Sequence, residues 1–335
     1  MATIREVAKL AGVSTATVSR VLNNDSTYKM TDETKQRVLD AVTALNYELP
    51  ATAPKQSAPH TGNTKVGCIL KLTKRKFDDP YFMSILSAAE DRLRKKGYEL
   101  AFMRTSSELE DRAQLQALFQ TPVSGIILMD DLDEEIYQYI HKQVPHIVGI
   151  STNHNDIDNI GYDRFGIAYE ATKYLIDKGH TRIGFIGSGG VTKNIKNSQR
   201  YRGFQTAMHC ANIPINENWV IDCEWDEDLC AQKIDELCAT GDYPTAIFSS
   251  SDLIAMASMN RFYANNIKVP DDVAILSVTD IEVAKYANPP LTTYHIPAEE
   301  IGYVAADLLI SRINGYDLLP HRVMLPSTLI VRGTV

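Results

Sequence analysis

Apolar residues in the first fifty positions recur at helical spacing in three short runs, each with a start signal. Thr3 and Glu6 form a capping box, Ser14 caps a second helix after a turn at Ala11, Gly12 and Val13, and Thr31 caps a third whose first turn holds Asp32 and Glu33. Ile4, Val7, Ala8, Val13, Val18, Val21, Leu22, Val38, Val42 and Leu45 fall where they can meet in one small core. Residues 49–64 lose that period, with Pro50, Pro54 and Pro59 among small polar residues, which is the composition of a linker. Beyond it, short apolar runs alternate with helical patterns. Strands are predicted at 66–70, 99–103, 125–129 and 146–150, separated by helices at 81–96, 111–119 and 134–142. The pattern restarts with helices at 166–178, 199–210, 227–239 and 252–264 between strands at 183–186, 219–221, 246–249 and 273–278. Such alternation predicts an α/β fold of parallel sheets with helices on both faces, in two successive lobes. A helix at 298–313 and the stretch 322–332 are expected to return across them. The predicted organisation is an all-α helix-turn-helix unit at 1–48, a linker at 49–64 and a two-lobed domain at 65–335. Its N-lobe is expected at 65–161 plus the C-terminal return, and its C-lobe at 162–290.

In the second short helix Val18, Val21 and Leu22 can pack inward, so Thr15, Ala16, Ser19 and Arg20 project outward together. That short polar surface suits the major groove of DNA. Arg20 can contact a guanine edge through two hydrogen bonds, hydroxyls adapt to several partners, and the Ala16 methyl can meet a thymine methyl. A Ser/Thr-rich helix that is merely soluble fits the same pattern, and the pattern alone leaves both readings open.

Composition narrows the picture. The 335-residue chain has a net charge of −8, which excludes a protein that coats nucleic acid by charge alone. Residues 1–60 hold seven Lys/Arg against six Asp/Glu, so any DNA contact must be local and weakly steered. The five cysteines, at 68, 210, 223, 230 and 238, are odd in number and contain no CxxC pair. Neither a disulfide framework nor a zinc site is signalled, and a reducing, cytoplasmic setting is expected. Arg5, Glu6 and Lys9 interrupt the apolar residues at the N-terminus, against a signal peptide, and no apolar run is long enough to span a bilayer. No reaction centre assembles either. HExxH, GxSxG and the P-loop are absent, and the run 185–190 follows a strand but lacks GxGxxG spacing, leaving a loop of small residues. The acidic run 130–135 lacks EF-hand spacing and suits a cap for the helix near Glu134, while His180 suits a turn. No catalytic residue, metal or cofactor is predicted.

The run 1–24, continuing through Thr34, Lys35, Gln36, Arg37, Val38, Leu45, Asn46 and Tyr47, closely resembles the headpiece of LacI/GalR transcriptional repressors. By that likeness Thr15, Ala16 and Arg20 take base-reading positions, while Ser14, Thr17, Ser19 and Asn23 fall where the family contacts phosphate or groove edges. Thr and Ala at the reading positions look more like the galactose-repressor branch than the lactose one. The family usually follows its headpiece with a hinge helix bearing a Leu wedge for the minor groove. Residues 50–60 depart from this, with three prolines and no Leu, so an extended linker is expected in which Lys55 can touch a phosphate.

The resemblance continues at lower density over 64–335. Asp79, Pro80, Tyr81 and Phe82, the run 178–187, Arg200 with Gly203 and Phe204, and Pro289 to Thr293 look like family landmarks in order. They imply the two-lobed fold of periplasmic sugar-binding proteins, with ligand in the cleft at the carboxyl ends of the strands. The implied effector-binding residues are Arg200 for hydroxyls, Trp225 as a platform, Tyr81 or Phe82 at the mouth, and Asp280 after the strand. Ser251 and Thr279 stand where many sugar-binding relatives have Asn and Asp. Trp225 beside Glu224, Asp226 and Glu227 equally suits a surface aromatic, and Arg200 equally suits an ion pair sealing the lobes.

The expected function is a repressor of carbohydrate genes that binds palindromic operator DNA as a homodimer. A small effector, a sugar such as a galactoside, would close the cleft, rotate the lobes and change headpiece spacing. Without a heptad tail before Val335, a dimer is expected rather than a tetramer. Two rivals share the scaffold: a sugar-binding protein without specific DNA binding, and an α/β enzyme. A third variant keeps DNA binding but answers to a protein or a phosphorylated metabolite.

Overall fold

The computed structural model describes residues 3–22, 31–45, 63–70, 79–190 and 193–335. The chain divides into two units, Met1–Gly62 and Asn63–Val335. In the first, α1 (Ile4–Ala11) begins at Thr3, whose hydroxyl accepts from the Glu6 amide while the Glu6 carboxylate accepts from the Thr3 amide at 2.7 Å. Gly12 ends it with φ +67°, a left-handed conformation that costs glycine little. Ser14 then starts α2 (Thr15–Leu22) by accepting from the Thr17 amide at 3.1 Å, and Thr31 caps α3 (Asp32–Ala44). Val7, Ala8, Ala11, Val18, Val38 and Ala41 are buried between them. Ala11 and Ala41 fill close helix contacts that apolar periodicity alone does not single out. The proline-rich stretch expected to be an extended linker lies outside the described residues, apart from 63 and 64.

The second unit begins with β1 (Lys65–Leu70), α4 (Pro80–Lys95), β2 (Glu99–Thr105), α5 (Ser106–Leu109), α6 (Arg112–Ala117), β3 (Gly125–Met129), α7 (Glu134–Gln143), β4 (Ile147–Ile150) and β5 (Asp158–Gly161). It continues through α8 (Arg164–Asp177), β6 (Ile183–Gly187), α9 (Gln199–Cys210), β7 (Val220–Asp222), α10 (Glu227–Ala239), β8 (Ala246–Ser249), α11 (Asp252–Ala264) and β9 (Ala274–Thr279). The last elements are β10 (Thr292–His295), α12 (Ala298–Ile313), β11 (Arg322–Met324) and β12 (Thr328–Ile330). Two six-stranded sheets result, ordered β11-β5-β4-β3-β1-β2 and β12-β10-β9-β8-β6-β7. All pairings are parallel except β12 with β10. Strand β3 is buried along its whole length, as expected for a strand covered by helices on both faces.

The return segment serves both lobes. Helix α12 packs on α4 in the first lobe, β11 extends the first sheet, and β12 extends the second. Strand β10 belongs to the second sheet, so that lobe reaches residue 295 rather than 290. Connections therefore cross between the lobes after β5, after β10 and after β11.

Candidate DNA-reading helix and effector cleft

In the first unit the inward side of α2 is Val18, fully buried, with Val21 partly buried. Thr15 and Arg20 are exposed and Thr17 is half-buried. The expected outward face is thus present at Thr15 and Arg20. Ser14 and Thr17 share a hydroxyl hydrogen bond of 2.9 Å at the helix start, where unpaired amides also favour an anion such as phosphate. Asn23 and the side chains of Ala16 and Ser19 lie outside the described residues.

In the second unit a cleft of about 610 Å³ opens at the carboxyl ends of both sheets. Residues directly following or ending strands line it: Asp130 after β3, Ser151 after β4, Ser188 after β6, Ser250 after β8 and Thr279 at the end of β9. Backbone strain gathers there as well, since Asp130, Ser151, Trp225 and Thr279 have φ of +72°, +60°, +61° and +129°. Such conformations cost about 1–3 kcal/mol each and persist where surrounding structure holds them.

Six of the seven residues assigned to effector binding meet in this cleft: Tyr81, Phe82, Arg200, Trp225, Ser251 and Thr279. Tyr81 and Phe82 sit in the first turn of α4 with their rings edge to face at 5.2 Å. Burial, and after it the neighbouring Tyr162, holds the Tyr81 hydroxyl well above its usual pKa, so it stays a neutral donor. Arg200, in the first turn of α9, donates to the Tyr162 hydroxyl and stacks over Trp225 at 5.6 Å. It therefore does not seal the lobes through an acidic side chain. Trp225 is a cleft aromatic rather than only a surface one. Ser251 caps α11, accepting from the Ile254 amide at 3.3 Å.

Asp280 requires a correction. It does not line the cleft. The turn after β9 gives it φ +54° and directs its carboxylate to Arg332 at 2.7 Å and His295 at 3.1 Å. The buried acid of this region is Asp252, which accepts from the Ser277 hydroxyl, from the Thr293 hydroxyl at 2.6 Å and from the Ile281 amide at 2.9 Å. Burial raises its pKa despite those donors, and it anchors the strand end that carries Thr279.

Several cleft residues escaped sequence reasoning. Arg164 opens α8 and reaches Asp130 at 3.9 Å, and His154 stacks on Tyr137 at 3.4 Å between centroids. Asp131 accepts from the Asn153 amide and side chain at 2.7 and 2.6 Å, so within the acidic run it is Asp133 that caps α7. The one available signal was position, because Asp130 and Ser151 immediately follow apolar strand runs. His180 bonds Thr245 at 3.1 Å, consistent with a turn residue. All five cysteines are free, and among the described residues no His/Cys/Asp/Glu group could hold a metal ion and no helix is long and apolar enough to cross a membrane.

Comparison with known proteins adds the family context. The model for bacterial regulatory proteins of the lacI family matches residues 3–49, and that for a periplasmic binding protein-like domain matches 172–335. The "HTH-type transcriptional repressor PurR" of Vibrio parahaemolyticus is 34% identical, over 100% of this chain and 99% of its own length. A solved "transcriptional regulator CelR-cellobiose complex" superposes with a TM-score of 0.74 at 26% identity, covering 100% of both chains. The Lac repressor dimer bound to operator and the anti-inducer ONPF superposes with a TM-score of 0.71 at 22% identity, covering 99% of this chain and 98% of that one.

Proposed function

The chain belongs to the LacI family of DNA-binding transcriptional repressors, and from that premise we propose a homodimer that reads a palindromic operator through α2 and responds to a sugar-type effector held in the cleft. Within α2, Thr15, Ala16 and Arg20 would meet base edges, while Ser14, Thr17, Ser19 and Asn23 would meet phosphate or groove edges. A short reading helix gains affinity and specificity by occupying two half-sites, which favours the dimer. Such a repressor works in the cytoplasm, on carbohydrate-utilisation genes.

The observation that carries the effector reading is the convergence of Tyr81, Phe82, Trp225 and Arg200 on one cleft. Aromatic faces suit the apolar side of a sugar ring, and a guanidinium suits a pair of hydroxyls or another planar acceptor. The cleft volume fits a mono- or disaccharide. Closure on such a ligand would draw the lobes together about the crossings after β5, β10 and β11, changing operator affinity by the ligand's differential affinity for the two states. Likeness to repressors named PurR favours a second reading, a flat purine-type base stacked on the same aromatics. Operator-binding titrations of the full chain with galactosides, other sugars and purine bases decide between them. A shift with one sugar supports the first reading, a shift with a base alone supports the second, and no shift with any ligand contradicts both.

A further inference from the structure

Hydrogen-bond partners in the cleft are unevenly supplied. Among the described residues, four buried side-chain polar atoms lack a partner, and three of them belong to cleft residues: Arg164 Nε, Arg200 Nε and His154 Nε2. A buried N–H left unmade costs about 1–3 kcal/mol, and more when it carries charge. The cleft carboxylates are better provided. Asp79 accepts from the Tyr81 amide at 2.9 Å, Asp133 from the Glu135 amide at 3.1 Å, and Glu134 from the Gln138 side chain at 2.8 Å. Asp131 holds both donors of Asn153. What the cleft offers is two guanidinium donors in want of an acceptor.

The two walls also differ in charge. The first lobe presents Asp79, Asp130, Asp131, Asp133 and Glu134, and the second presents Arg164 and Arg200 against Glu227. Both guanidiniums line the cleft beside Tyr81 and Tyr162, and Arg200 donates to the Tyr162 hydroxyl. Arg164 meets Asp130 only at 3.9 Å, beyond hydrogen-bond length. A neutral sugar could accept from these forks, but its hydroxyls are weaker acceptors for a guanidinium than an ionised oxygen is. A carboxylate supplies planar, charged acceptors that match both forks in one group.

We propose that the effector is a sugar acid whose carboxylate is held between Arg164 and Arg200, with its hydroxyls donating across the cleft to Asp130 and Asp131. The inference rests on the sugar-effector reading above and adds Arg164 as the residue that sets specificity for the acid. Sugar hydroxyls are donors as well as acceptors, so the acidic wall faces the end of the ligand it can serve.

The test is calorimetric titration of the full chain with matched pairs: galactose and galacturonate, glucose and glucuronate, and glucose and gluconate. The wild type is compared with Arg164→Ala and Arg164→Lys, and thermal midpoints verify that both variants are folded. At least one acid is expected to bind about tenfold or more tighter than its neutral partner. Arg164→Ala should weaken that acid by about thirtyfold while changing the neutral sugar less than about threefold, with Arg164→Lys in between because it keeps charge without the fork. A neutral sugar that binds as well as its acid and shifts operator affinity overturns the sugar acid and leaves the sugar-effector reading standing. An acid whose affinity Arg164→Ala leaves unchanged overturns the role of Arg164. Binding of neither member of any pair, with operator binding intact, contradicts both readings together.

Discussion

Helix α12 lies on α4 in the first lobe as α9 lies on α8 in the second, and each pair closes over one glycine. A Cβ at Gly302 would stand 2.3 Å from the Ile85 carbonyl, and one at Gly203 would stand 2.3 Å from the Phe165 carbonyl. The same device thus seats a helix at the back of each sheet. The lobes differ in where those helices come from. Helices α8 and α9 are neighbours in sequence, whereas α12 returns from far along the chain, so Arg92 meets Asp307 across 215 residues and Arg312 meets Asp158 across 154. The first lobe carries these charged pairs along the seam with its returning helix. The second lobe buries its acid, Asp252, among the Ser277 and Thr293 hydroxyls, and ties its own late strand in through Arg332 and Asp280 at 2.7 Å.

The largest effect is expected at the buried seam. Asp158 has a side chain 1% exposed and is held by Arg312 through two bonds of 2.6 and 2.8 Å, so Arg312→Met should cost about 3–5 kcal/mol in urea unfolding. Adding Asp158→Asn should restore part of that loss, since the stranded charge is then gone. Next come the glycines: Gly302→Ala and Gly203→Ala should each cost about 1–3 kcal/mol. A loss confined to one of them breaks the equivalence of the two helix pairs. The two buried acids should then show opposite pH dependence. Burial opposes ionisation of Asp158, but the Arg312 and His321 bonds outweigh it and its pKa is lowered. Its stabilisation is present above the unfolded carboxylate pKa of about 3.9 and is lost as pH falls through the folded value. Asp252 is raised by burial, so its contribution is present below that unfolded value and is lost as pH rises through the folded one. Urea midpoints from about pH 3 to 7 should therefore converge with wild type at the acid end for Asp158→Asn, and rise relative to wild type toward neutral pH for Asp252→Asn. The smallest effect is expected for Arg92→Ala, at or below about 1 kcal/mol, because that pair's side chains are 37% and 42% exposed. A large loss there would mean that the seam depends on exposed pairs too.

The same contrast explains what could be read from the chain. Helices expected at 199–210, 252–264 and 298–313 match α9, α11 and α12, and the strand at 125–129 matches β3, because burial on one helical face or on both sheet faces writes itself into local periodicity. Strand β5 was missed. Its Asp158 and Asn159 are buried polar residues, satisfied by Arg312 from far along the chain and by Thr152, so no apolar run marks it. Strand β10 was missed for a similar reason, since Thr292 and Thr293 are buried with their hydroxyls bonded to Arg332 N and Asp252. At the cleft, Tyr81, Phe82, Arg200, Trp225, Ser251 and Thr279 were found by family likeness. Arg164 and Asp130 were not, because their meeting is created by the crossing of the chain between lobes and by no spacing along it.

The most direct test of the account is binding of the full chain to a palindromic operator library at several salt concentrations, beside Arg20→Ala. Wild type is predicted to select a sequence, and the variant to lose about 1–3 kcal/mol of discrimination per half-site while keeping its weak salt-dependent binding. If both proteins bind every sequence alike, or neither binds any, α2 is not the reading element and the account fails at its centre.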